Sequence, residues 1–173
     1  MPALAGTYFG TTITYICEHN DEGAMGIMVN RPLELTLAEL FEQLNISTDD
    51  VNCRQVPVFE GGPVASDRGF ILHTNDVHFE SSLGLDNGLM LTTAREVLEA
   101  IANGAGPHDY LVALGYAGWG EGQLENEMQQ NSWLNCPADT QVLFSTPPAD
   151  RVDAAAKSLG IDFNLISGHA GHA

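Results

Sequence analysis

Positive charge is scarce in this chain. It holds 6 Lys and Arg against 23 Asp and Glu, a formal net charge of −17. Its one lysine is Lys157, and its arginines, at 31, 54, 68, 95 and 151, are scattered. Nucleic-acid binders cluster basic side chains to neutralise phosphates, so no direct duplex binding is expected. An anionic membrane surface is disfavoured for the same reason. Surplus carboxylate keeps a protein dispersed in water. Cysteine is also sparse: Cys17, Cys53 and Cys136 form no CxxC pair, which excludes a disulfide framework and a zinc knuckle. Cys17 lies in an apolar run and reads as a core residue, whereas Cys53 and Cys136 sit in polar stretches and read as exposed thiols. No apolar run approaches the ~20 residues that span a bilayer. The first residues lack the basic start and apolar core of a secretory leader, so a cytoplasmic location is the expectation.

What is present is enough for a core. Hydrophobic residues make up 44% of 173, and residues 1–173 read as one domain without repeat or linker. Residues 11–17 and 24–30 alternate as two strands of a hairpin around the polar turn 18–23. Thr36 and Glu39 form a capping box ahead of Leu37, Leu40, Phe41 and Leu44 at helical spacing. After a polar loop at 45–55, strands are expected at 56–60 and 68–73, with an irregular stretch at 74–87 and a short extended piece at 89–92. Thr93 and Glu96 read as a second capping box, opening a helix through Val97, Leu98 and Ile101. The most apolar strand, 110–116, is expected at the centre of the sheet. A helix at 123–131, a strand at 140–144, a helix at 150–159 and a short last strand at 161–166 complete the pattern. About six or seven strands and four helices without regular alternation predict an α+β domain with a mixed sheet.

Three polar clusters are candidate sites. The first joins Glu18-His19-Asn20 with Asn30-Arg31; Cys17 and His19 alternate onto one strand face, but two potential ligands do not make a metal site. The second is Glu60-Gly61-Gly62-Pro63 with Arg68, either a tight turn or backbone N–H groups turned to an anion. The third is the segment at 115–125, in which Gly115, Gly118, Gly120 and Gly122 surround Trp119. Glu121 and Glu125, four apart, are expected on one helix face. Trp119 either packs into a groove left by the glycines or forms a platform for a ligand or partner. The expected concave surface unites Trp119, Gly118, Gly120, Glu121 and Glu125 with Glu60, Gly61, Gly62, Arg68 and Arg31, the arginines supplying its positive charge.

The motifs together resemble the AlgH (YqgE) family of small bacterial proteins. The resemblance runs over essentially the whole chain. It is carried by Tyr-Ile-Cys-Glu-His-Asn at 15–20, Gly-Ala-Met-Gly at 23–26, Asn-Arg-Pro at 30–32 and Phe-Glu-Gly-Gly-Pro-Val at 59–64. Arg-Gly-Phe at 68–70, Leu-Thr-Thr at 91–93, Gly-Tyr-Ala-Gly-Trp at 115–119, Gly-Gln-Leu-Glu at 122–125 and Asn-Ser-Trp-Leu at 131–134 complete it. It implies a bifurcated, strongly curved sheet approaching a pseudo-barrel, with helices outside. It points toward regulation only through the family name, which derives from a regulatory role proposed in alginate production, and it implies no established activity. It supplies no catalytic residue and no cofactor. The family's usual first strand is expected to be missing before Met1, and Gly10 and Thr11 stand where arginines are common.

No nucleophile–base pair, ligand set or cofactor loop is legible. The leading expectation is a non-enzymatic binding or regulatory module acting through a protein or a small anionic molecule, with no cofactor and no metal. The alternative is an enzyme using carboxylates and backbone N–H groups of the glycine segments. A direct DNA-binding regulator comes third, opposed by the charge.

Overall fold

The computed structural model describes residues 11–162. In chain order the elements are β1 (Thr14–Asn20), β2 (Gly23–Met28), β3 (Pro32–Thr36), α1 (Leu37–Gln43), β4 (Pro57–Glu60), β5 (Val64–Thr74), β6 (Leu83–Gly84) and β7 (Leu89–Thr92). They continue with α2 (Arg95–Ala102), β8 (Tyr110–Trp119), α3 (Gln123–Gln129), α4 (Thr140–Phe144) and α5 (Arg151–Ser158). The sheet is mixed and mostly antiparallel, curled into a half-barrel with the helices outside.

β8 is the strand both branches share. One flank pairs with β5 from Tyr110 to Tyr116. The other pairs in parallel with β4 at Ala113 and Leu114, then antiparallel with β2 at Ala117, Gly118 and Trp119. The change of partner falls at Gly115, whose φ of +75° an L side chain rarely adopts. A Cβ on Gly115 would lie 2.3 Å from the Gly62 carbonyl oxygen, and one on Gly61 would lie 2.2 Å from that of Gly115. The Gly61 N–H donates to Leu114 O, and the Gly61 carbonyl accepts from the Met28 N–H, both at 2.8 Å. Two bare backbones thus meet where the sheet divides.

Strand alternation sends side chains to two cores. Val58, Ile71 and Val112 meet α1 and α2 in one; Phe59, Phe70, Leu72, Leu111 and Ala113 meet Tyr15, Ile27 and Leu143 in the other. Arg151 ties α5 to the sheet. It is buried, donates to the carbonyls of Val29 and Thr146, and lies 5.1 Å over the Phe59 ring. Burial lowers its pKa, since no medium there solvates the charge as water does.

The hairpin, the central place of β8 and the Thr36 box match expectation. The Glu39 N–H donates to Thr36 Oγ1 at 3.3 Å, and the Thr36 N–H donates to Glu39 Oε2 at 2.8 Å. Several expectations are corrected. Residues 140–144 are a helix, because Asp139 Oδ1 accepts from the Gln141 N–H at 2.8 Å and caps it; a five-residue apolar run has no period of its own. Thr93 is not an N-cap: α2 starts after Ala94 without a side-chain cap, and Glu96 instead accepts from Ser81 Oγ at 3.2 Å. No strand was expected where β3 lies, β5 begins four residues before the expected 68, and short 3₁₀ turns occupy Val51–Gln55 and Asp86–Gly88. α3 stops at Gln129, and β6 lies within the expected irregular stretch. Cys53 is buried rather than exposed. Of the expected strand at 161–166, residues 161 and 162 are irregular and the rest lies outside the described residues, as does the start of the chain.

Candidate functional site

Trp119 closes β8, and the next helix is built around it. Gly122, with φ +68°, turns the chain into α3. The Gly120 N–H donates to Gln123 Oε1 at 3.0 Å, covering one open donor of the turn. This orientation brings Glu127 beneath the indole: Trp119 Nε1 donates to Glu127 Oε2 at 2.9 Å. Trp133 Nε1 donates to the same oxygen at 2.7 Å, and Gln123 Nε2 donates to Glu127 Oε1 at 3.0 Å. The two indoles pack edge to face, 5.8 Å apart and inclined at 76°. Burial pushes the Glu127 pKa up, but the bonds from Trp133, Gln123 and Trp119 outweigh it and hold the carboxyl below its ordinary value.

One residue pair links this helix to the edge of the hairpin. His19 Nε2 lies 2.5 Å from Glu125 Oε1, and that bond lowers the Glu125 pKa. A β-bulge between Ile16 and Glu18 interrupts the alternation. Cys17 therefore packs against the second core while His19 reaches α3. Burial pushes the Cys17 thiol up to about 12, far from a reactive thiolate.

Between β1, α3 and the α4–α5 pair runs a groove of about 720 Å³. Tyr15, Trp119, Leu124, Met128, Trp133 and Leu143 supply much of its wall. Its ionisable groups are Tyr15, His19, Asp86, Glu125, Cys136 and Asp139; no Lys or Arg of the described residues lines it. Thr14, also at the groove, has the one buried side-chain oxygen among the described residues that lacks a hydrogen-bond partner. No group of three or more His, Cys, Asp or Glu among the described residues is placed to hold a metal ion.

Of the ten residues singled out from the sequence, the groove takes two, Trp119 and Glu125. Gly118 pairs with Met25 in the sheet, and Gly120 closes the turn. Glu121 is exposed and sits in that turn, before the helix begins, so it shares no helix face with Glu125. Gly61 and Gly62 lie at the branch of the sheet. Glu60 pairs with Arg31 at 3.7 Å, and the Arg68 guanidinium lies 5.5 Å over Phe70. The arginines therefore do not line the concave surface that holds Trp119. Sequence reasoning missed Tyr15, Met128, Trp133 and Leu143 as lining residues. One signal was available: the chain has 2 tryptophans, and both fall in the motif-bearing segments.

These elements define a branched α+β half-barrel with a groove of mostly apolar wall along one flank. The chain belongs to the AlgH-like family, whose profile matches residues 1–164. It is 52% identical to a UPF0301 protein of Thioalkalivibrio sulfidiphilus, over all of this chain and 92% of that one. It is 51% identical to a UPF0301 protein of Pseudomonas putida, with 100% and 92% covered. The solution structure of the AlgH protein from Pseudomonas aeruginosa superposes with a TM-score of 0.81 at 47% identity, covering 100% of this chain and 92% of that one. A crystal structure of a Corynebacterium diphtheriae protein shares the fold alone, with a TM-score of 0.65 at 18% identity over 84% and 76% of the two chains. No helix among the described residues is long and apolar enough to cross a membrane.

Proposed function

We propose that this chain is a non-enzymatic binding protein that takes a small molecule into the groove between β1, α3 and α4–α5. A regulatory output would then run through occupancy of that groove rather than through contact with DNA. The observation that carries this reading is the groove's size and lining. Its volume of about 720 Å³ lies within the ~300–1,000 Å³ of small-molecule pockets, and apolar and aromatic walls with a few polar groups are the usual lining of such pockets. The net charge of −17 supports the second half, because phosphate contacts need clustered cations.

Intrinsic fluorescence tests the reading, because both tryptophans of the chain line the groove. Titration with the neutral apolar dye N-phenyl-1-naphthylamine is expected to give saturable, one-to-one energy transfer from tryptophan. The groove-filling variant Ala155→Phe is expected to abolish it while the protein still melts cooperatively. Absence of saturable transfer, or transfer unchanged in Ala155→Phe, would overturn the proposal.

A further inference from the structure

The lining of the groove carries more than its volume. Its walls hold three aromatic rings, those of Tyr15, Trp119 and Trp133, and its ionisable groups include three carboxylates, Asp86, Glu125 and Asp139. No Lys or Arg of the described residues lines it. The nearest arginines to the sequence motifs are turned elsewhere, Arg31 to Glu60 and Arg68 to the face of Phe70. An anionic ligand would therefore enter a field of like charge with no Lys or Arg to receive it, and the groove's one histidine, His19, is already bonded to Glu125. Two of the carboxylates have one oxygen engaged: Glu125 Oε1 by His19 Nε2, and Asp139 Oδ1 by the Gln141 N–H. Each has a second oxygen to offer a donor. Aromatic faces beside carboxylates in a partly dry groove are the chemistry that holds an ammonium ion, through cation–π attraction and charge-assisted hydrogen bonds.

Resting on the groove reading above, we propose that the ligand is a cationic amphiphile. Its class is an alkylamine or arylalkylamine with an apolar body and one protonated head. The body packs along Leu124, Met128 and Leu143. The head meets the rim carboxylates and the aromatic faces. This replaces the anionic ligand expected from sequence, and the reason is placement: the arginines that motivated an anion do not face the groove.

The test uses three probes with one tail and three heads: decylammonium, decanol and decanoate, each below its micelle concentration at pH 7.5, with Trp emission as readout. At this pH an alkylamine with a pKa of about 10 is protonated and a carboxylic acid is ionised. Salt is held near 150 mM, where the Debye length is about 8 Å and the diffuse charge of the distant surface is screened. Decylammonium is expected to bind at least about tenfold tighter than decanoate, with decanol between them. Asp86→Asn with Glu125→Gln is expected to erase most of that preference. The control pair Glu34→Gln with Glu42→Gln removes the same charge from exposed positions outside the groove and is expected to leave the preference intact. Equal binding of all three probes would sink the head-group assignment while the groove reading stands. No binding of any would sink both. Equal loss in the control pair would reassign the preference to the net charge of the chain and overturn the proposal. A Trp response that tracks self-association of the chain would give the groove to a second copy and also overturn it.

Discussion

Replacing Glu127 by alanine takes one acceptor from two tryptophans at once. Trp119 and Trp133 both donate to Glu127 Oε2, at 2.9 and 2.7 Å, and Gln123 donates to Oε1 at 3.0 Å. Hydrogen bonds to a charged group contribute about 1.5–3 kcal/mol each before screening. Gln123 and Trp133 reach water and recover most of their share. Trp119 is only 7% exposed, so its N–H recovers little. Loss of about 2 kcal/mol is therefore expected, which in a domain of this size lowers Tm by about 4–8 °C. Glu127→Gln keeps an acceptor oxygen for the indoles but loses the charge, and about half the effect is expected. The acid limb supplies an independent check. A carboxyl whose folded pKa is depressed stabilises the fold above its ordinary value, 4.5 here, and that contribution is lost as pH falls through the lower folded value. Wild-type stability, measured by chemical denaturation, should thus fall below pH 4.5 more steeply than that of Glu127→Ala. A thermal melt of Glu127→Ala within about 1 °C of wild type, with an unchanged acid limb, would refute the clamp.

Three further expectations follow from other parts of the fold. Gly115→Ala combines a left-handed φ of +75° with a Cβ 2.3 Å from Gly62 O, so it should fail to give soluble folded protein, whereas Gly104→Ala, also at positive φ but with open space around it, should cost about 1–2 kcal/mol; equal melts for the two would contradict the branch-point account. Thr36→Ala should cost about 1 kcal/mol, because the box around it is complete, and Thr93→Ala should leave helix α2 unaffected through capping; equal costs at both, from urea titration, would count against the assignment. His73 is buried; burial first lowers its pKa below 6.5, only partly offset by its bond to Thr74 O and by nearby Asp76. The unfolded chain therefore binds the proton more readily, so the fold has its full stability above pH 6.5 and loses stability as pH drops below it. His73→Leu should flatten that slope in urea titrations between about pH 7 and pH 5, and an unaltered slope would exclude His73 as its source.

Local patterns carried a good part of this fold. The run at 110–116 is apolar throughout, the pattern of a strand covered on both faces, so β8 and its central position were legible. The Thr36 box was equally local, since its two bonds join residues three apart. The glycines around Gly61 and Gly115 marked a close approach without naming the partner, because a missing side chain shows that something comes near but not what. Short apolar runs misled: 140–144 has neither the length nor the period to choose between strand and helix, and Asp139 chose. The groove itself depended on tertiary structure. His19 meets Glu125 across 106 residues, which requires both the bulge in β1 and the pairing of β2 with β8. Trp119 meets Trp133 only because α3 turns Glu127 beneath both rings. The charge of the groove was decided in the same way: composition recorded few cations, but the folded chain directed Arg31 to Glu60, Arg68 to Phe70 and Arg151 to backbone carbonyls. Propensity and spacing act over a few residues, whereas a binding surface is assembled from segments whose proximity is set by strand register.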